Sequence, residues 1–264
     1  MNKMRRLITL LSACVLLLPS RGEAQFEEIG TFIGIANYAG DLTESNLDPL
    51  EFNLAAGFYL RHHFKRRLAL KLHLYRGVLS GNDANASLAG GLWKRNLKFR
   101  TEVYELGAQL EYDLIKFGTD NFYSAPYLFF GISVFHFNPR TELDGKTYNL
   151  QKYKTEGVEY SLLQMAIPFG AGFKIKVNDA GSLGVEVGFR KTFTDYLDDV
   201  SGAYPADIAA LTEQRSLQSR LSYRTSEVLP DAPPVPKPGQ LRGNPDNKDW
   251  YFFFGFTLGV YLKK

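Results

Sequence analysis

The sequence predicts an all-β fold, specifically an eight-stranded antiparallel up-and-down transmembrane β-barrel with four long extracellular loops. Three observations predict it. Period-two alternation recurs eight times along the chain, the face opposite the aliphatic residues carries glycine and charges of both signs, and the connections alternate between short and long. Those are the sequence marks of a small membrane barrel.

Composition agrees. The 264 residues include 20 Phe, 15 Tyr and 24 Gly, a bias toward strands and aromatic surfaces. A net charge of +3, with no basic patch interleaved with aromatics in the strand-like stretches, excludes a nucleic-acid partner from the expectation.

Residues 1–24 read as a secretory signal peptide, leaving 25–264 as the barrel. MNKMRR is the positive region, LITLLSACVLLLP the apolar region, and Gly22-Glu23-Ala24 the cleavage site. Leu11-Ser12-Ala13-Cys14 also fits a lipoprotein cleavage pattern, but the following VLLLP continues the apolar run where a lipidated Cys normally opens a polar linker. Cys14 is the sole cysteine, so cleavage after Ala24 leaves no disulfide. Beyond the leader, no stretch has the 18 or so consecutive apolar residues of a spanning helix.

The eight stretches follow in order. Ile29, Thr31, Ile33 and Ile35 oppose Glu28, Gly30, Phe32 and Gly34. Phe52 to Leu60, taken every second residue, oppose Asn53 to Arg61. Leu68, Leu70, Leu72 and Leu74 oppose Ala69, Lys71, His73 and Tyr75. Tyr104, Leu106, Ala108, Leu110 and Tyr112 oppose Glu105, Gly107, Gln109, Glu111 and Asp113. In the second half Leu128 to Val134 oppose Tyr127 to Ser133, Leu163 to Ile175 oppose Gln164 to Lys174, Leu183 to Phe189 oppose Gly184 to Arg190, and Phe252 to Val260 oppose Tyr251 to Gly259.

Alternation alone also fits a soluble sandwich or lipocalin-like barrel. Glycine decides between them: Gly30, Gly34, Gly57, Gly107, Gly131, Gly170, Gly172, Gly184, Gly188, Gly255 and Gly259 all take the non-aliphatic face. Glycine weakens a solvent-facing strand but relieves crowding inside a narrow barrel. Arg61, Lys71, Lys174 and Arg190 share that face with Glu105, Glu111, Asp113 and Glu186. Buried charges require pairing, so the lumen is expected to be plugged by a polar network that also includes His73 and Gln109.

Tight links are expected around Lys65-Arg66, Gly118 to Ser124 and Asn178 to Gly181, and long ones over 40–50, 76–100, 137–161 and 195–249. Short periplasmic turns and long outer loops follow the outer-membrane pattern, with both termini periplasmic. Tyr38, Tyr104, Tyr112, Tyr127, Trp250 and Tyr261 lie near strand ends, where interfacial aromatic girdles belong. In the last loop, 206–221 has the pattern of a short amphipathic helix that would cover the mouth or meet a partner, with a solvated loop segment as the alternative, and PDAPPVPKPGQLRGNP is Pro-rich.

Asp195, Asp198 and Asp199 fall where the seventh stretch loses its apolar face. Solvated rim acids are the expectation; calcium would suit such acids, although their spacing matches no EF-hand loop. His62, His63, His73 and His136 are too scattered for a metal site. No cofactor is expected. A rim hydrolase using His136 and Asp195 is a distant third reading, because His136 has lipid-face parity and no G-x-S-x-G motif is present.

IGIANYAGDL (33–42), GVLSGNDAN (77–85), RNLKFRTEVYELGAQLEYD (95–113), PYLFFGISVFHFNP (126–139), YSLLQMAIPFGAGFK (160–174) and GFRKTFTDYLDDVSG (188–202) together resemble the PorG-type family of Bacteroidota outer-membrane proteins. That resemblance implies a non-enzymatic component of, or anchor for, the type IX secretion machinery. Its implied partners are outer-membrane lipid, the periplasmic ring of a lipoprotein and its companion, and other outer-membrane translocon components. The alternative is a general structural or small-solute barrel of the OmpA/OmpW kind.

Overall fold

The computed structural model describes residues 26–45, 47–117, 123–237 and 239–262. The leader, Cys14 and most of the expected Gly118 to Ser124 turn lie outside the described residues. Eight strands form the barrel wall: β1 (Phe26–Ala39), β2 (Asn53–Lys65), β3 (Leu68–Asn82), β4 (Lys98–Asp113), β5 (Ser124–His136), and, after a short hairpin of β6 (Arg140–Leu143) and β7 (Lys146–Asn149), β8 (Leu163–Asn178), β9 (Gly181–Thr192) and β10 (Trp250–Leu262). Each pairs antiparallel with its sequence neighbour in the wall, and β10 returns to β1 from Glu27↔Leu262 to Ala39↔Trp250. Closure removes the sheet edge, so every wall strand finds hydrogen-bond partners without water.

Burial is inverted relative to a soluble protein. Leu54 is 77% and Phe256 69% exposed on the outside, while Phe32 and Phe253 inside are each at 1%. This is the surface of a chain dissolved in lipid. Tyr104 and Tyr112 delimit the apolar band on β4, both exposed. Eight residues at about 3.4 Å rise, tilted by about 40°, span roughly 20 Å, close to the band height of such barrels. Beyond Tyr104 the outward face turns charged, with Arg76 Nη2 2.9 Å from Glu102 Oε1. At the other end Arg67 Nη1 donates to the Tyr112 hydroxyl at 3.3 Å.

Two residues link β2 to β3, Arg66-Arg67, and two link β8 to β9, Asp179-Ala180. The closing seam depends on glycine at one point in particular. Gly34 and Gly255 are directly opposed, and a Cβ on Gly34 would collide with the Phe254 carbonyl and the Gly255 Cα.

Two expectations are corrected. The second outer loop is shorter than 76–100, because β3 and β4 stay paired out to Asn82↔Lys98. Above the membrane their outward residues meet water and their inward ones, Leu79 and Phe99, meet the loops, so the aliphatic signal stops at Leu74 while the strand continues. Tyr38 and Tyr127 belong to no girdle. Both are buried inside, with their hydroxyls on Asp198 and Glu186.

The last loop folds over the mouth. The helix expected over 206–221 is two short ones, α1 (Ile208–Glu213) and α2 (Leu217–Ser222). They are separated at Arg215, which has φ 51°, and Ser216 caps the second by accepting from Ser219 N at 3.1 Å. Leu197, Val200 and Leu221 pack with Leu42, Leu97, Phe99, Phe137, Leu143 and Leu150 in a core continuous with Phe32 and Tyr75 of the barrel interior.

Candidate functional site

Two buried polar layers fill the interior, one within the membrane-spanning wall and one beneath the outer loops. In the first, Arg61 of β2 lies directly opposite Glu28 of β1. Its Nη1 is 2.7 Å from Glu28 Oε1 and its Nε 2.9 Å from Glu111 Oε2. Tyr59 and Ser182 hydroxyls also donate to Glu28 Oε1, at 2.6 and 2.9 Å. Lys71 Nζ sits 2.5 Å from Glu186 Oε2, which accepts a 2.7 Å bond from Tyr127. Lys174 Nζ is 2.7 Å from Asp113 Oδ1 and 3.6 Å from Glu111 Oε2.

Nearer the mouth, Glu105 gathers three partners. Arg190 Nε approaches at 3.3 Å, His73 Nε2 at 2.7 Å and the Tyr251 hydroxyl at 2.5 Å. Arg190 also stacks its guanidinium 4.4 Å from the Phe253 centroid, as arginine over an aromatic face does. Gln109 is buried in the same layer. The lumen is thus crossed by side chains that are almost wholly inaccessible, Arg61, Lys71, Lys174, Arg190, Tyr59, Tyr75, Tyr127 and Tyr251 among them. Glu28 belongs to this set although sequence reasoning left it out; its parity with Gly30 was the available signal.

The second layer holds the rim acids, and here the expectation of solvated acids fails. Asp195, Asp198 and Asp199 are 3%, 1% and 1% exposed, because the long loops close over them. Asp198 accepts from the Tyr38 hydroxyl of β1 and from Val200 N, the latter at 2.8 Å. Asp199 accepts from Thr155 and, at 2.7 Å, from Tyr160, both in the third loop. Asp195 accepts from Ser201 Oγ at 2.7 Å.

Two arginines tie the loops together. Arg95 bonds Asp83 at 2.7 Å and donates to the Asp41 and Arg242 carbonyls, each at 2.6 Å, joining the first, second and fourth loops. Arg242 reaches Glu156 at 3.2 Å and the Asp199 carbonyl, joining the fourth loop to the third. Arg242, Glu156 and Asp249 did not stand out in the sequence, and Arg95 appeared only as the first residue of the RNLKFR block, since each lies in a loop with no periodicity to place it.

Burial without full compensation raises the acids of this layer. It pushes the Asp199 carboxyl up to about 6 against the pull of Arg242. Asp41 is raised to about 6 by burial and by Asp195 beside it, against the Asn244 N–H and Arg95. Asp198 and Asp249 are driven well above the carboxylate range, by burial first and then by Asp41 and by Asp198 respectively.

The arrangement holds the outer loops in place. His136 is exposed on the outer wall of β5 while Asp195 is enclosed beneath the loops, so the pair considered for hydrolysis is separated by the wall itself. Among the described residues, no group of three or more His, Cys, Asp or Glu is placed to hold a metal ion. His63 reaches the inner end of the lumen, its Nε2 3.9 Å from Glu28 Oε2.

A family model described as "Domain of unknown function (DUF6089)" matches residues 5–215. The chain belongs to the DUF6089 family. No curated protein matches this DUF6089 chain. Among solved structures it is similar to Ail of Yersinia pestis, solved with the heparin analogue sucrose octasulfate, at 8% identity and a TM-score of 0.44, covering 90% of this chain and 99% of that one. Similarity extends to Neisserial surface protein A, at 10% identity, TM-score 0.44, and 89% and 96% coverage. For OprG of Pseudomonas aeruginosa the values are 11%, 0.42, and 91% and 97%.

Proposed function

We propose that this DUF6089 protein is a closed, non-enzymatic outer-membrane barrel that anchors an assembly instead of conducting solutes. The observation that carries the reading is the lumen, which ion-paired and hydrogen-bonded side chains fill from wall to wall. A solute path would have to break those pairs, and removing one partner of a buried pair costs about 3–5 kcal/mol. The resemblance to PorG-type proteins supports the finer assignment to the type IX secretion machinery of a Bacteroidota outer membrane. In that reading the short turns meet the periplasmic ring of a lipoprotein and its companion, and the loop cap meets other translocon components. A clean deletion is expected to trap cargo inside while the membrane stays intact, and crosslinked membranes are expected to yield the ring proteins with this chain. Normal secretion in the deletion strain removes the type IX assignment and leaves a general structural barrel. The small-solute version of that alternative predicts conductance in planar bilayers; the filled lumen predicts none.

A further inference from the structure

Above the apolar band, β4 and β6 are paired at one position, and it sets Arg100 directly opposite Arg140. Directly opposed residues of an antiparallel pair point to the same side with Cβ atoms roughly 5 Å apart, where like charges repel. Both side chains are exposed, as is Lys98 two residues from Arg100. Among the described residues, none of these three cations has a carboxylate at ion-pair distance. Glu102, the nearest acid on β4, pairs with Arg76 at 2.9 Å and also feels Arg140, and among the described residues the Arg100 side chain donates to the amide oxygen of Asn53, at 2.8 Å. Glu102 and the exposed Glu142 are the two acids of this group, and against Arg76, Lys98, Arg100 and Arg140 they leave it with a positive excess. The three cations border a cleft of about 320 Å³ between β4 and the β6–β7 hairpin, whose lining also includes Glu102, Glu142, Thr101, Thr141 and Thr147.

Height on the barrel says what this cleft faces. Arg76 is in register with Tyr104, where the apolar band ends. Arg100 lies four residues farther out, about 10 Å at a tilt of about 40°, within reach of lipid headgroups for a long arginine side chain. Below Glu102, Arg76 and Tyr104, Leu74 and Leu106 are exposed on the same outward face. A cationic cleft over an aliphatic strip is complementary to one molecule in that position, an amphiphile with an anionic head. Guanidinium forks match phosphate oxygens bidentately. We infer that Arg100 and Arg140, aided by Lys98, bind the phosphorylated headgroup of an outer-leaflet glycolipid, whose acyl chains lie along Leu74 and Leu106. The inference rests on the outer-membrane reading above.

The test uses the full chain in detergent micelles with fluorescent bisphosphorylated lipid A, and the same lipid dephosphorylated, as probes. The Arg100→Gln/Arg140→Gln variant is expected to bind the phosphorylated lipid at least tenfold more weakly than the parent, and Arg100→Lys/Arg140→Lys to fall between them. Lys176→Gln, at the opposite end of the barrel, is expected to bind like the parent. Equal affinity of parent and double glutamine variant, or equal affinity for the two lipids, overturns the inference. Displacement of the lipid by millimolar inorganic phosphate would assign the cleft to free phosphate and overturn the lipid assignment. Insertion into phosphatidylcholine vesicles, read as a faster-migrating band on unboiled gels, is scored separately. A protein that inserts without binding lipid A sinks the cleft alone, whereas one that fails to insert sinks the barrel reading.

Discussion

Replacing Arg61 with Met tests whether the lumen is dry and its charges indispensable. Arg61 is shared by two carboxylates, and its loss affects them unequally. Glu111 keeps Lys174 at 3.6 Å and Lys71 at 3.9 Å. Glu28 keeps the neutral hydroxyls of Tyr59 and Ser182 at 2.6 and 2.9 Å and His63 at 3.9 Å. The penalty therefore concentrates on Glu28, and stripping a buried charge of its partner costs about 3–5 kcal/mol. Glu28→Gln alone leaves Arg61 with Glu111 and should cost about 1.5–3 kcal/mol, the worth of a charged hydrogen bond. In the double variant no uncompensated charge remains, so Arg61→Met/Glu28→Gln is expected to be more stable than Arg61→Met by about 2 kcal/mol; the double-mutant cycle adds the Glu28→Gln cost to that difference to give the coupling. The assay is urea unfolding in phosphatidylcholine vesicles, followed by tryptophan fluorescence and by mobility on unboiled gels. A single variant within about 1 kcal/mol of the parent, or a double variant no better than the single, would refute the reasoning. Water would then be solvating Glu28, and a lumen wet at that depth would also reopen the question of conductance.

Three further outcomes are expected. Gly34→Val should abolish the folded band on unboiled gels, since its Cβ meets backbone across the β1–β10 seam, whereas Ile33→Val, on the lipid face beside it, should leave the band intact. The cap should loosen as pH rises. Asp199 is raised from 3.8 to about 6 in the folded cap, so its contribution is fully present below the unfolded value and is lost as pH climbs through about 6, a difference of about 3 kcal/mol for two units. Asp41 acts in the same direction with a smaller, solvent-screened effect. Amide exchange at Val200, Ser201 and Gly202, corrected for intrinsic rates, should be more protected at pH 5 than at pH 7.5, and equal protection would contradict it. Arg95→Gln should make 195–249 sensitive to protease with the wall unaffected in urea; unfolding of both together would show that cap and wall are one cooperative unit.

The wall was legible in the sequence because a closed membrane barrel imposes the same two-residue code on every strand. Leu106 and Leu110 must face lipid, Gly107 and Glu111 must face inward, and nothing outside the strand alters that. Strand ends were less legible. The pattern that identifies β3 is aliphatic, and it ends at Leu74 where lipid ends, although backbone pairing continues to Asn82. The cap was the least legible. Asp195, Asp198 and Asp199 read as solvated because three acids close together repel. What buries them is Tyr38 from β1, Thr155 and Tyr160 from the third loop, and Arg242 from the far end of the fourth. No local spacing connects those positions, and only register and loop packing bring them together.

The contrast between the two polar layers bears on where function resides. In the wall, Glu28, Glu105, Glu111, Asp113 and Glu186 each have a cation at salt-bridge distance, so that layer fixes one structure and has no low-cost alternative. In the cap, Asp41, Asp195, Asp198 and Asp249 crowd one another, and Arg95 and Arg242 hold the loops together largely through carbonyl groups. A surface that must meet a partner gains from being preorganised, and one that must respond to conditions gains from marginal local stability. The cap has both properties and the lumen only the first. If the proposed anchoring role holds, the partner would be engaged through the cap while the wall beneath stays unchanged, and Arg95→Gln and Arg61→Met are expected to perturb cap and wall separately.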